Sequence, residues 1–147
     1  KLHLFDLPPV APDAKARFAQ AGLSDRSDIT LGSFRDDELP EGADAISLIR
    51  VLYDHSDDTI RALLASAFDA LPADGRIIIS EPMSGGDAPN KATDAYFALY
   101  TMAMRTGRTR SAKEISAFLA EAGFVQIKTR KPLRAYVTSV VMAVKPS

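Results

Sequence analysis

The chain has 147 residues, 46% of them hydrophobic and 25% charged, which is the balance of one globular domain with its own core. Its 18 basic residues nearly balance its 19 acidic ones, which argues against nucleic acid or an anionic membrane surface as the main partner. It has no cysteine, which excludes disulfides, thiol catalysis and thiolate metal sites and leads us to expect a cytoplasmic protein.

The first part of the chain predicts alternating strands and helices. The apolar run LHLF is typical of a short strand ending at Asp6, and apolar residues at helical spacing predict a helix from Val10 to Gly22. The run SDITLGSF predicts a second strand. The long run DAISLIRVLY predicts a third, because strands in the middle of a parallel sheet are almost continuously apolar. Ser56 then predicts the N-cap of a helix.

The second part of the chain predicts two strands and two helices of different character. RIIIS predicts a buried strand ending at Glu81, and the loose segment PMSGGDAPN follows it. ATDAYFALYTMAMRTG predicts a helix that is apolar almost all round, which suits a large hydrophobic ligand or a partner helix. Ser111 and Glu114 form a capping-box pattern for a helix that stops at Gly123. The closing runs VQIKT and AYVTSVVMAV predict an antiparallel pair of strands.

This order predicts a doubly wound α/β fold with a mostly parallel sheet and an antiparallel C-terminal strand. No apolar run reaches the length of a membrane span. In doubly wound sheets, ligands bind across the carboxyl ends of the strands. The residues at those ends are therefore the candidates for function: Asp6, Ser33, Phe34, Tyr53, His55 and Glu81.

Each candidate also has an ordinary structural interpretation. A carboxylate such as Asp6 suits the two hydroxyls of a ribose, or it caps a turn. Phe34 stacks on a purine, or it belongs to the core. Arg50 lies inside an apolar strand, so its guanidinium needs an anionic partner, either a ligand or, as we favour, a protein acid such as Glu81.

The acidic residues do not predict a metal site. Asp36–Asp37 and Asp57–Asp58 lie in turns or first helical turns, where acids are common for local reasons.

The two glutamates at predicted element ends also have structural interpretations. Glu81 must be hydrogen-bonded, either to orient a catalytic group or to support the structure. The capping box accounts for Glu114 without chemistry.

Four blocks of the sequence resemble the catalytic domain of class I S-adenosylmethionine (SAM)-dependent O-methyltransferases. They are LFDLPPV, LGSF…LPEGADAISLIRVLYDHSDD, ALPADGRIIISEPM and RTRSAKEISAFLAEAGF, in matching order and spacing. RVLYDH and the segment from SEPMSGG to SAKEI are most similar to bacterial carotenoid enzymes that methylate the tertiary hydroxyl of hydroxyneurosporene and demethylspheroidene.

The resemblance implies a SAM site and a catalytic loop. Asp6 would hold the ribose hydroxyls of the cofactor and Phe34 would lie beside the adenine, and Leu7 and Arg50 are further candidates for cofactor binding. Ser33 stands where the family often has an acid. The family's general-base histidine falls at Tyr53, a departure from the family pattern. Glu81 and Glu114 match the acids that orient that histidine. The family's glycine-rich loop and N-terminal dimerisation domain would precede Lys1, so we expect a piece of a longer, dimeric protein that is inactive alone.

The first functional hypothesis is therefore O-methylation of a hydroxylated carotenoid, in which Tyr53 positions the hydroxyl and His55 accepts its proton. A phenol or a tetrapyrrole is the alternative acceptor. A different class of function is a degenerate methyltransferase domain that only binds or assembles, motivated by Tyr53 and Ser33. A nicotinamide dehydrogenase is less favoured, because no Tyr-x-x-x-Lys pair lies on a predicted helix.

Overall fold

The computed structural model describes residues 1–85, 91–105, 107–130 and 138–147. Within these residues, strands and helices alternate before the chain closes on two strands. Their bounds in chain order are β1 (Leu2–Asp6), α1 (Ala11–Gln20), β2 (Ser27–Leu31), β3 (Ala45–Ile49), α2 (Asp57–Ala70), β4 (Arg76–Glu81), α3 (Lys91–Met104), α4 (Ala112–Glu121), β5 (Val125–Arg130) and β6 (Ser139–Val144). No helix in the described ranges is long and apolar enough to cross a bilayer.

The strands form two hydrogen-bonded ladders. β1 pairs with β2 in parallel, and a separate four-stranded sheet has the order β3-β4-β6-β5. β3 and β4 are parallel, whereas β6 runs antiparallel to both β4 and β5. The expected α/β fold and its antiparallel finish are confirmed. In the described residues, however, the parallel strands fall into two separate ladders and do not form one continuous sheet.

The core lies between the four-stranded sheet and helices α2 and α4. Alternate sheet residues face the helices, because successive side chains of a strand point to opposite faces. Burying each large aliphatic side chain there contributes about 1.5–3 kcal/mol to stability. The fully buried members are Ile77, Ile79 and Val141 from the sheet, Ile60, Leu63 and Leu64 from α2, and Ile115 and Leu119 from α4.

Two strands are shorter than the sequence predicts. β2 ends at Leu31, so Ser33 and Phe34 lie in the turn that follows. β3 ends at Ile49 rather than Tyr53, because Arg50 has a φ of 57° and the chain then forms a 3₁₀ turn over Leu52–Asp54. A left-handed residue cannot continue a strand, so the prediction of one long strand was wrong.

The local signals for helices are confirmed. The side chain of Ser56 accepts a hydrogen bond from the amide of Thr59 and caps α2. Ser111 and Glu114 form the reciprocal capping box of α4. Residues 86–90 of the loose segment, residue 106 and the start of the last predicted strand, residues 135–137, lie outside the described residues.

Candidate functional site

Contacts between neighbouring strand ends bring the candidate residues together. The amide of Gly32 donates to the carbonyl oxygen of Asp6, which joins the ends of β1 and β2. The ring of Phe34 meets the ring of His55 edge-on with centroids 5.1 Å apart, which joins the segments that follow β2 and β3. The site therefore follows the carboxyl ends of the strands, as doubly wound sheets predict.

The carboxylate of Glu81 holds the turn that follows β3. One of its oxygens, Oε1, accepts hydrogen bonds from the amides of Val51 at 2.7 Å and Leu52 at 2.8 Å, and Oε2 accepts from the amide of Tyr53 at 3.4 Å. The side chain is buried at the end of β4, and burial raises its pKa to about 7. Glu81 therefore acts through the backbone, and it supplies an acceptor for amides that have left the β ladder.

Tyr53 is the most enclosed candidate in this turn, with 4% of its surface exposed. Its ring packs edge-on against Phe97 of α3, with centroids 6.2 Å apart, and lies 5.8 Å from the ring of Tyr100. Burial raises the pKa of the Tyr53 hydroxyl above its ordinary value. The hydroxyl is therefore protonated at neutral pH and can hold an oxygen atom of a ligand by donating a hydrogen bond.

Arg50 pairs with Tyr53 rather than with Glu81. Its Nη2 donates to the Tyr53 hydroxyl oxygen at 3.2 Å, and its guanidinium carbon lies 5.6 Å from the centre of that ring. The expectation of a buried arginine paired with Glu81 was wrong. Arg50 is exposed because the strand has already ended, and Glu81 is occupied by backbone amides.

His55 has a defined tautomer in this arrangement. The Nη2 of Arg35 lies 3.0 Å from His55 Nδ1. A guanidinium only donates hydrogen bonds, so Nδ1 accepts and a neutral ring carries its proton on Nε2. Burial and then the charge of Arg35 lower the pKa of His55, which keeps the ring neutral at pH 7. In this state Nε2 is a donor, so His55 can accept a proton only after Arg35 releases Nδ1.

The residues near the ends of β1 and β2 present one carboxylate and one aromatic ring. Asp6 Oδ1 accepts from the amide of Leu7 at 2.8 Å, and the side chain of Leu7 is exposed. The hydroxyl of Ser33 accepts from the amide of Arg35, so Ser33 helps to form its own turn. Phe34 is half-buried and packs against the core as well as His55, so the core interpretation describes its environment, and its contact with an adenine stays a prediction.

Glu114 is engaged at both carboxylate oxygens. Its Oε1 accepts from Arg108 at 2.8 Å, and its Oε2 accepts from the amide and the hydroxyl of Ser111. Burial raises its pKa, but these hydrogen bonds outweigh burial and leave the pKa below its usual value. These contacts give Glu114 a structural role, and its catalytic role stays a prediction.

Three residues that contact the loop carrying Tyr53 and His55 were missed by sequence reasoning: Arg35, Gly107 and Arg110. Arg35 sets the tautomer of His55, whereas Gly107 and Arg110 lie against the loop from a segment more than 50 residues away in sequence. Arg35 lies in a predicted turn, whereas Gly107 and Arg110 stand where one predicted helix ends and the next begins, and nothing in these local patterns signals contacts with a distant segment.

A model of the O-methyltransferase domain matches residues 1–125 of this chain. The chain belongs to the O-methyltransferase domain family. It is 57% identical over 147 residues to the demethylspheroidene O-methyltransferase of Cereibacter sphaeroides, in a match that covers 100% of this chain and 39% of that relative. It is 52% identical to the demethylspheroidene O-methyltransferase of Rhodobacter capsulatus, in a match that covers 97% of this chain and 35% of that relative.

Solved O-methyltransferase structures share this fold. The crystal structure of human N-acetylserotonin methyltransferase in complex with SAM matches with a TM-score of 0.87 at 26% identity, and the match covers 100% of this chain and 41% of that one. The chain therefore spans about two fifths of the O-methyltransferases that it resembles.

Proposed function

We propose that the full-length protein containing this chain transfers a methyl group from SAM to a hydroxyl of a hydrophobic small molecule. We propose the tertiary hydroxyl of an acyclic carotenoid as the acceptor. The observation that carries the reaction class is the pair of contacts that link Asp6 with Gly32 and Phe34 with His55, in a chain of the O-methyltransferase domain family. The 57% identity to a demethylspheroidene O-methyltransferase supports the choice of acceptor.

The described residues fit one side of a SAM molecule. Asp6 is only partly buried at the end of β1, where a carboxylate can accept hydrogen bonds from both ribose hydroxyls. We propose that the aromatic ring of Phe34, two residues beyond the Gly32 amide that bonds to Asp6, packs beside the adenine. The sulfonium supplies the methyl group. SAM has no phosphate group to be held, so the residues of the chain bind the nucleoside and align the acceptor.

In this proposal, Tyr53 aligns the methyl acceptor. In-line displacement at a methyl carbon forms the new O–C bond as the C–S bond breaks, so much of the rate depends on the approach of the acceptor oxygen. The hydroxyl of Tyr53 accepts from Arg50, and in this proposal it donates its own proton to that oxygen. The acceptor hydroxyl must also lose its proton. We propose His55 as the group that takes it, on condition that Arg35 first releases Nδ1.

The wider environment in the full-length protein is also part of the proposal. Tyr96, Leu99 and Met102 are each more than 60% exposed on one side of α3, which supports a hydrophobic acceptor or a homodimer contact there. The lack of cysteine in these 147 residues supports a cytoplasmic location for the full-length protein.

The decisive experiment is calorimetric titration of the full-length protein with S-adenosylhomocysteine. Binding in the micromolar range is expected, and Asp6→Ala should weaken it at least tenfold because the ribose hydroxyls lose their shared acceptor. Asp13→Ala, an exposed acid on α1, is the matched control and should bind like the wild type. No binding by the wild-type protein would remove the methyltransferase proposal.

Methyl transfer to a hydroxylated carotenoid, a phenol and a tetrapyrrole then identifies the acceptor. Turnover with the carotenoid alone supports the full proposal. Cofactor binding without transfer to any of the three would favour the degenerate binding module. Full turnover by His55→Ala in this assay would exclude His55 as the proton acceptor.

A further inference from the structure

The segment from Gly107 to Ser111 lies directly against the loop that carries Tyr53 and His55. A β-carbon on Gly107 would fall 2.5 Å from the backbone nitrogen of His55 and would also collide with the carbonyl oxygen of Tyr53. Only a residue without a side chain allows two backbones to approach this closely. The two segments are therefore packed backbone to backbone.

Arg110 occupies the centre of this contact. Only 2% of its surface is exposed, and its guanidinium donates five hydrogen bonds. Nη1 donates to the carbonyl oxygens of Leu52 at 3.1 Å and Arg108 at 2.8 Å, and Nη2 donates to that of His55 at 2.9 Å. Nε donates to Asp57 Oδ1 at 2.9 Å.

The placement of these acceptors distinguishes Arg110 from an ordinary buried ion pair. Leu52 and His55 stand on either side of Tyr53 and Asp54, so one planar guanidinium holds the carbonyl groups at both ends of the loop. Asp57 is the first residue of α2, so the same side chain ties the loop to the start of a core helix. Glu81 has the complementary role, because its carboxylate accepts hydrogen bonds from backbone amides of the same loop.

We infer that Arg110 is a positioning residue, which fixes the Tyr53–His55 loop for methyl transfer through its backbone carbonyl groups. The expected effect on kcat rests on the proposed function. The role of Arg110 in holding the loop does not depend on it. Lysine keeps the charge but has no planar fork, so it cannot reach both loop carbonyls and Asp57 together. Buried carbonyl groups that lose their donor then favour rearrangement of the loop.

The test uses Arg110→Lys in the full-length protein, with Arg61→Lys as the matched control. Arg61 bonds to Glu121 and Asp58 on the outer surface of α2 and α4, away from the loop. For Arg110→Lys we expect kcat to fall at least tenfold, while the Kd for S-adenosylhomocysteine changes less than twofold. Hydrogen exchange in a peptide spanning residues 51–56 should accelerate at least tenfold, with exchange in the core of α2 unchanged.

A folded Arg110→Lys variant with wild-type kcat and wild-type exchange at residues 51–56 would overturn the inference. If this variant does not fold, Asp57→Asn decides the matter, since it weakens the anchor on α2 and retains the carbonyl contacts. A several-fold loss of kcat with faster exchange at residues 51–56 supports positioning, and no change in either overturns it. If the wild-type protein methylates no acceptor, the proposed function fails and the exchange measurement alone decides the role of Arg110.

Discussion

At the scale of single residues, the site depends on two charged side chains that act through the backbone. Glu81 accepts from three consecutive amides of the loop, and Arg110 donates to the carbonyl groups at its two ends. Both are buried, so each is costly to leave without its partners. The loop conformation is therefore specified from outside the loop.

The raised pKa of Glu81 predicts an unusual pH dependence of stability. Its pKa is about 7 in the folded protein and 4.5 in the unfolded reference, so the folded state binds the proton more tightly. The contribution of Glu81 to the free energy of unfolding should therefore fall as pH rises from 4.5 to 7, by about 3 kcal/mol in total, and stay level above pH 7.

Thermal unfolding of full-length wild type and Glu81→Gln at pH 5, 6, 7 and 8 measures this contribution. The amide keeps an oxygen acceptor for the loop and does not titrate, so the wild type should lose stability relative to Glu81→Gln as the pH rises. Glu121→Gln, on the exposed end of α4, should track the wild type. Parallel curves for wild type and Glu81→Gln would show that Glu81 has an ordinary pKa.

At the scale of elements, short local signals were read correctly and the ends of strands were not. The caps at Ser56 and Ser111 depend on neighbours within three residues, so the sequence alone reveals them. The strand through Arg50 was predicted too long, because the acceptor that draws the chain out of the ladder is Glu81, on the next strand. The hydrophobic pattern of a strand does not indicate a hydrogen-bond acceptor on another strand.

The close contact of Gly107 with the loop can be tested at this scale. Gly107→Ala should lower the activity of the full-length protein at least tenfold, because the added methyl group collides with backbone atoms and displaces the loop. Gly22→Ala is the matched control: Gly22 has a similar φ of 66°, but nothing lies within 4 Å of its β-carbon position. That change should cost only about 1 kcal/mol of stability and leave turnover intact. Equal effects of the two substitutions would show that backbone strain alone matters.

At the scale of the whole molecule, the division of the strands into two ladders is the main feature. Within the described residues, β1 pairs only with β2 and β3 only with β4, so each of these strands has one edge without a ladder partner. This chain spans 39% of the demethylspheroidene O-methyltransferase of Cereibacter sphaeroides that it resembles. We therefore expect residues outside this chain to contribute to the cofactor site of the full-length protein.

This arrangement predicts that the 147-residue chain alone binds S-adenosylhomocysteine at least tenfold more weakly than the full-length protein. Calorimetric titration of the two proteins, side by side, measures the difference. Circular dichroism of the chain shows whether weak binding reflects an incomplete site or an unfolded chain. Equal affinities would mean that the described residues hold the whole cofactor site.

What the sequence determined by itself is the set of local and family-wide features. The alternation of elements, the helix caps, the acid at the end of β1 and membership of the O-methyltransferase domain family all follow from short patterns or from blocks in a fixed order. Only the tertiary structure decided which groups meet: Arg50 with Tyr53, Arg35 with His55, Glu81 with three amides, and Arg110 with both ends of the loop. The physical reason is that a hydrogen-bonding group takes the partners that folding brings within reach, and sequence distance does not limit that choice.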